Sequence, residues 1–341
     1  MSAQSNNLLS GFLVFSVLIF VVSLLVREDA AIEPVVDTAA DTADSLASTS
    51  APSTMHEDTT SAPSTVHEDT TSAPSTVHED NLTLASYDLE KPARRFKLPK
   101  QWREISGLAM LGENRLLAHD DERGVVFEID YRDGSIVKSF AISDQRDPVA
   151  DDFEGIAAAE GRVYLVSSSG RLYEFVEGTD GETVLYNLYT TGIGRDHEIE
   201  GLAYDPDQRV LLLISKNPKN PRQTGLVAIC RWSLDTKQLV EDGHILIPAI
   251  ALSSRTDSKR FQPSGIERHP VSGNYFVVAA RQRAIAEITP QGQVLAVADL
   301  AVDRHPQTEG IAFASDNTLI VSDEGVSKRA TLTFYPVSKG R

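Results

Sequence analysis

The chain has 341 residues and ordinary apolar and charged fractions, enough for one large folded domain with additional segments. Its one cysteine, Cys230, excludes an intrachain disulfide and any cysteine-based zinc site. The net charge of −17 lies mostly ahead of residue 93, and no basic face of the kind nucleic acid demands is visible.

Residues 1–26 carry no charged side chain, and 8–26 form an uninterrupted stretch of apolar and small residues. As a helix that stretch would span about 28 Å, close to a bilayer core. A cleaved signal peptide has a shorter apolar region behind a positive segment, and neither condition holds here. An N-terminal membrane anchor over residues 1–27 is therefore expected, with the membrane as partner. Arg27 is the nearby basic residue, on the C-terminal side, and gives little orientation signal.

Residues 28–85 are rich in Ala, Ser, Thr, Pro and acids and lack aromatics. Such a segment cannot bury enough apolar surface to offset chain entropy, so a disordered linker is expected. An 11-residue unit recurs at 50–60, 61–71 and, one residue short, at 72–81, placing His56, His67 and His78 beside paired acids. Two readings stand: a duplicated flexible stalk, or a weak metal or proton sensor. As a flexible chain the linker would span about 40 Å.

The third segment is the expected propeller domain, 86–341, and from Ala93 onward its texture is one of short apolar runs divided by Gly, Asp and Asn, the punctuation of strands and turns. One motif organises it. Its copies are Glu104-Ile105-Ser106-Gly107-Leu108, Asp152-Phe153-Glu154-Gly155-Ile156, Glu198-Ile199-Glu200-Gly201-Leu202, Gln262-Pro263-Ser264-Gly265-Ile266 and Gln307-Thr308-Glu309-Gly310-Ile311. The glycines are 48, 46, 64 and 45 residues apart. Periods of that size mark propeller blades or solenoid units.

Strands are expected after the first motif at 115–119, 124–130 and 136–142. After the second they fall at 162–167, 171–177 and 184–190; after the third at 210–216, 226–234 and 245–252; after the fourth at 275–281, 284–289 and 294–301. With the strand that each motif starts, every unit has four, which is one propeller blade. The fifth unit supplies only 318–322 and 331–337, while an unmatched strand, 93–99, precedes the first motif. An N-terminal strand that completes the last blade and closes the ring removes open sheet edges. The expectation is an all-β, five-bladed β-propeller. The long third interval leaves a degenerate sixth blade as the alternative.

In such a ring the five motifs surround one channel mouth. Glu154, Glu200 and Glu309 precede the glycine in three blades, with Ser106 and Ser264 in the other two. Glu104, Asp152 and Glu198 stand two residues earlier and, in extended strands, share that face. These six carboxylates are the candidate metal ligands, and an all-oxygen set suits calcium. The competing reading is that they cap backbone N–H groups between blades. Lys216 and Arg281, opposite Asp120 and Asp323, suggest a pocket for a small anionic ligand, or else ordinary turns. His119, His197 and His305 are candidate bases, or surface histidines. No nucleophile elbow, P-loop or dinucleotide fingerprint is present, and Gly201 stands where a His197-Glu198 zinc-protease motif needs its second histidine.

The five motifs, with the anchor and linker before them, resemble the SdiA-regulated family of bacterial proteins. That resemblance implies a five-bladed propeller with bound calcium, held on the periplasmic side of the inner membrane, and distant kinship with NHL-repeat propellers. It supplies no activity. A calcium-dependent binding module for a small ligand or protein partner, and a calcium-dependent phosphoester or lactone hydrolase, are both left open. The long third unit and the 11-residue repeat depart from the family pattern.

Overall fold

The computed structural model describes residues 82–216, 225–253, 261–325 and 328–338. The expected anchor and nearly all of the linker lie outside them. Among the described residues no helix is long and apolar enough to cross a membrane.

Five small antiparallel sheets follow one another along the chain. Blade one comprises Ile105–Met110, Arg115–Asp120, Val125–Asp130 and Ser135–Ile142; blade two comprises Phe153–Ala159, Arg162–Ser167, Arg171–Phe175 and Tyr186–Thr190. Blade three has Glu198–Asp205, Val210–Lys216, Leu226–Ser233 and Gln238–Leu239, and blade four Gly265–Arg268, Tyr275–Ala279, Ala284–Ile288 and Val294–Asp299. Blade five has Thr308–Phe313, Leu319–Asp323 and Thr331–Tyr335 from the C-terminal end and Arg94–Lys97 from the N-terminal end. The closing pair is antiparallel, with Arg94 opposite Phe334 and Lys97 opposite Thr331. The all-β, five-bladed propeller and its closure are thus as the motif spacing predicts, and no sixth sheet occupies the long third interval among the described residues.

Two outer edges differ from expectation. The run expected as one strand at 184–190 divides at exposed Leu185. Thr183–Val184 pairs in parallel with Ser135–Ile142 of blade one, while Tyr186–Thr190 completes blade two. In blade three the edge of Leu226–Ser233 is shared by Gln238–Leu239 and Ile245–Pro248. A turn with Asp242 in the left-handed region separates these two pieces. The run 245–252 ends at Pro248 and continues as the short helix Ala249–Ser253, because Pro cannot extend a ladder.

The core is one apolar cluster per joint between blades. Phe127, Leu116 and Leu332 lie between blades five and one, Phe153, Tyr173 and Phe140 between one and two, and Trp232, Leu213 and Ile199 between two and three. Tyr275, Ile247 and Phe261 fill the joint between blades three and four, and Phe276, Phe313 and Tyr335 the one between four and five. Period-2 alternation supplies this directly: each middle strand is buried on both faces, one toward each neighbouring blade.

Packing reaches upstream of residue 86. Leu82, Leu84, Tyr87 and Leu89 are buried, the last three in the joint between blades four and five. The Leu84 N–H donates to Glu287 at 2.8 Å, and the Tyr87 hydroxyl donates to the Asn317 carbonyl at 2.9 Å.

Candidate functional site

The repeated motif is a β-bulge. In blade two the pairing steps from Phe153–Ser167 to Gly155–Val166, leaving Glu154 as the extra residue. The same step leaves Glu200 extra in blade three, Glu309 in blade five, and Ser106 with Gly107 in blade one. In blade four the Ser264 N–H donates to the Val278 carbonyl, although Gly265 is the register partner of Val278. A bulge re-aims its side chain and breaks the two-residue alternation. The extra residue still lies near the acid two positions before it: the charges of Glu198 and Asp152 act on Glu200, and that of Asp152 acts on Glu154.

Each motif glycine lets its blade touch the next. A methyl group on Gly155 would fall 2.5 Å from the Leu202 nitrogen, and one on Gly265 would fall 2.6 Å from the Glu309 carbonyl. A methyl on Gly201 would meet the Gly265 Cα at 3.0 Å, and one on Gly310 would meet the Ser106 carbonyl at 2.8 Å, which carries the circle back to blade one. The ring leaves an axial cavity of about 10 Å³ lined by the five glycines, room for about one water.

Above the glycines, Glu154, Glu200 and Glu309 act on one another. Burial, then the charges of Glu200 and Asp152, push Glu154 up to about 9. Burial raises Glu309 to about 8, and burial against the opposing Lys216 ammonium leaves Glu200 raised to about 7. Lys216 Nζ lies 2.5 Å from Glu200 Oε1 and 3.6 Å from Glu198. Burial alone would lower Lys216, but its carboxylate partners outweigh that and raise it.

The outer three carboxylates go to the rim. Asp152 is exposed and accepts from the Ser168 hydroxyl at 2.5 Å, Glu198 faces Lys216, and Glu104 pairs with Arg103. Two acids outside the expected set join the Glu104 side. Burial and the charge of Asp120 raise Asp121 to about 7, and burial with Glu104 raises Glu324. Both follow a second strand, in His119-Asp120-Asp121-Glu122 and Ser322-Asp323-Glu324, and clustering of acids at equivalent strand ends was the available signal. Among the described residues no three His, Cys, Asp or Glu side chains form a ready-made metal-ligating group.

The remaining candidates have local partners. Ser264 donates to the Thr308 carbonyl at 2.7 Å, which ties blade four to blade five, and accepts from the Ala280 N–H at 3.0 Å. Asp120 pairs with Arg123, Asp323 with His305, and Arg281 approaches Gln262, so these groups and Lys216 do not gather into one pocket. The three histidines are buried rather than superficial. His119 Nε2 accepts from the Gly107 N–H at 2.9 Å, and burial lowers its pKa to about 4. His197 Nδ1 meets the Ser215 hydroxyl at 3.2 Å, and His305 is held between Asp323 and the Tyr335 hydroxyl.

No family model and no curated protein sequence matches the chain. Solved structures do. A glutaminyl cyclase from Myxococcus xanthus aligns with a TM-score of 0.50 and 14% identity over 73% of this chain and 97% of that one. A PQQ-bound aldose sugar dehydrogenase from Streptomyces coelicolor aligns with 0.48 and 14% over 72% and 97%. A protein of unknown function from Bacteroides caccae aligns with 0.38 and 15% over 62% of this chain, which spans 66% of that protein. At these identities the likeness is one of fold: the chain is similar to β-propeller proteins.

Proposed function

We propose that the axial mouth is a calcium-dependent binding seat on a membrane-tethered propeller. One observation carries the reading: buried Glu200 and half-buried Glu154 and Glu309 meet near the axis with one ammonium, Lys216, among them. When all three ionise, two negative charges are left to balance, and like charges held together either take up protons or recruit a cation. The donors are oxygens, which a hard ion prefers. The fit is one of charge and donor type. A calcium ion there supplies two positive charges and a demand for six to eight oxygen ligands. Glu154, Glu200 and Glu309 are the residues to hold it, with Asp152, Glu198 and Glu104 behind them, and Lys216 competes for Glu200.

Binding is favoured over hydrolysis because the three histidines near the mouth are buried and hydrogen-bonded. The resemblance to the SdiA-regulated family, the anchor at residues 8–26 and the periplasmic placement belong to this same proposal.

Calorimetry and thermal melts test it. An ion that binds only the folded state stabilises by about 2.7 kcal/mol at a hundredfold excess over Kd. Calcium is expected to raise the melting midpoint by several degrees, chelator to reverse it, and magnesium to do much less. Glu200→Gln is expected to shrink the shift with the fold intact. A metal-stripped chain that takes up no calcium at millimolar concentration overturns the reading.

A further inference from the structure

At the other end of the axis, beyond the glycine ring, the first strands enclose a second pocket of about 190 Å³. Its wall is mostly apolar, with Ala109, Met110, Ala157, Pro270 and Phe313 among its residues. The motif explains the alanines. Two residues past the glycine stand Ala109, Ala157, Ala203 and Ala312 in four blades, and Glu267 in the fourth. Small side chains at this register let five strands converge. One blade instead brings a carboxylate to the same level, and that carboxylate lines the pocket.

Glu267 has no ion-pair partner among the described residues; it accepts from the Arg268 N–H at 2.9 Å. The other titratable groups on the wall are engaged. Arg268 lies 3.3 Å from Asp205 and pairs with Asp207, and the Tyr204 hydroxyl donates to Glu160 at 3.0 Å. Burial outweighs the Arg268 charge, which acts on Glu267 and lowers it, and a carboxylate with no ion-pair partner beside an apolar wall is costly unless it is neutralised or meets a cation. Burial pushes Glu267 up to about 8.

We propose that this pocket binds a small organic ammonium ion, with Glu267 as the counter-charge and the alanine and Phe313 wall receiving its apolar body. The size fits: an engineered cavity of about 150 Å³ admits benzene. The site is separate from the carboxylate ring and does not depend on calcium.

The test is isothermal titration calorimetry of the full-length chain with phenethylammonium, butylammonium and the neutral 2-phenylethanol. Both ammonium ions are expected to bind at least about tenfold more tightly than the alcohol, the scale of about 1.4 kcal/mol. Glu267→Gln removes the difference, and Ala158→Leu, which narrows the same pocket with Glu267 in place, weakens both classes of ligand. Seating the ammonium on an ionised Glu267 releases the proton it held, so affinity rises with pH up to about 8 and binding heats depend on the buffer's ionisation enthalpy. Equal affinity for amine and alcohol overturns the proposal, as does ammonium binding that survives Glu267→Gln. Circular dichroism of both variants separates lost binding from lost fold, and a native chain that binds neither ammonium ion at millimolar concentration refutes the site.

Discussion

At the scale of single residues, the glycines and glutamates of one motif do opposite things. Gly155 lets backbones meet, and its replacement by Ala would force a methyl group onto the Leu202 nitrogen. Overpacking of this kind costs about 1–3 kcal/mol, so Gly155→Ala is expected to lower the melting midpoint clearly, while Gly161→Ala, at a turn where a methyl meets nothing, tests backbone strain alone. The neighbouring glutamates hold protons in the folded ring that the unfolded chain would release. Their contribution is fully present below the ordinary glutamate range and is lost as pH rises through about 7, 8 and 9 for Glu200, Glu309 and Glu154. Metal-free protein should therefore lose stability between about pH 5 and 9, and calcium should restore most of it at the alkaline end. Lys216→Gln removes the internal ammonium. It is expected to steepen that loss and to tighten calcium binding, both read from melts across pH; weaker calcium binding in this variant would mean that Lys216 supports the ion rather than competing with it. The glutamates and glycines were legible because five copies in register point at one axis. The bulge that carries them was not, because it leaves no mark in one strand's residue pattern. It shows only when two residues face one across a partner strand, as Glu154 and Gly155 do.

At the scale of strands, period-2 alternation located the inner three strands of each blade well, because both their faces are buried and any slip would expose apolar side chains. Outer strands were less legible. They are half exposed, so the sequence around Leu185 or Pro248 does not say which neighbour the edge will join. The closing strand was the exception, since an unmatched run at one end of the domain answers a missing one at the other. Its register is open to a direct test. Arg95 stands opposite Thr333, and Arg95→Cys with Thr333→Cys is expected to form a disulfide under mild oxidation. A bridge across so long a loop should stabilise by about 2–4 kcal/mol. Poor cross-linking here, with efficient cross-linking of Arg95→Cys to Leu332→Cys instead, would mean the strand is shifted by one residue.

At the scale of the whole molecule, closure joins the first blade to the last, and residues 82–89 add a second fastening across the joint between blades four and five. Sequence texture places the start of packing near residue 93, because Leu82, Leu84, Tyr87 and Leu89 are too few and too scattered to show a period. Their burial follows from a groove that only the assembled blades create. Tyr87 is the key contact: its hydroxyl donates to the Asn317 carbonyl of blade five and meets His269 Nε2 of blade four, each at 2.9 Å. His269 Nδ1 accepts from the Val271 and Ser272 N–H groups, so its Nε2 carries the hydrogen and donates to Tyr87. Tyr87→Phe keeps the ring and removes both bonds, leaving a buried imidazole N–H without its acceptor. The expected loss is about 1–3 kcal/mol. For a domain of this size each kcal/mol moves the midpoint by about 2–4 °C. Because the ring is closed, the shift should appear as one displaced transition rather than early fraying of one blade. A chain beginning at residue 92 should lose at least as much, and equal midpoints for that chain, Tyr87→Phe and the parent would show that the segment is not docked.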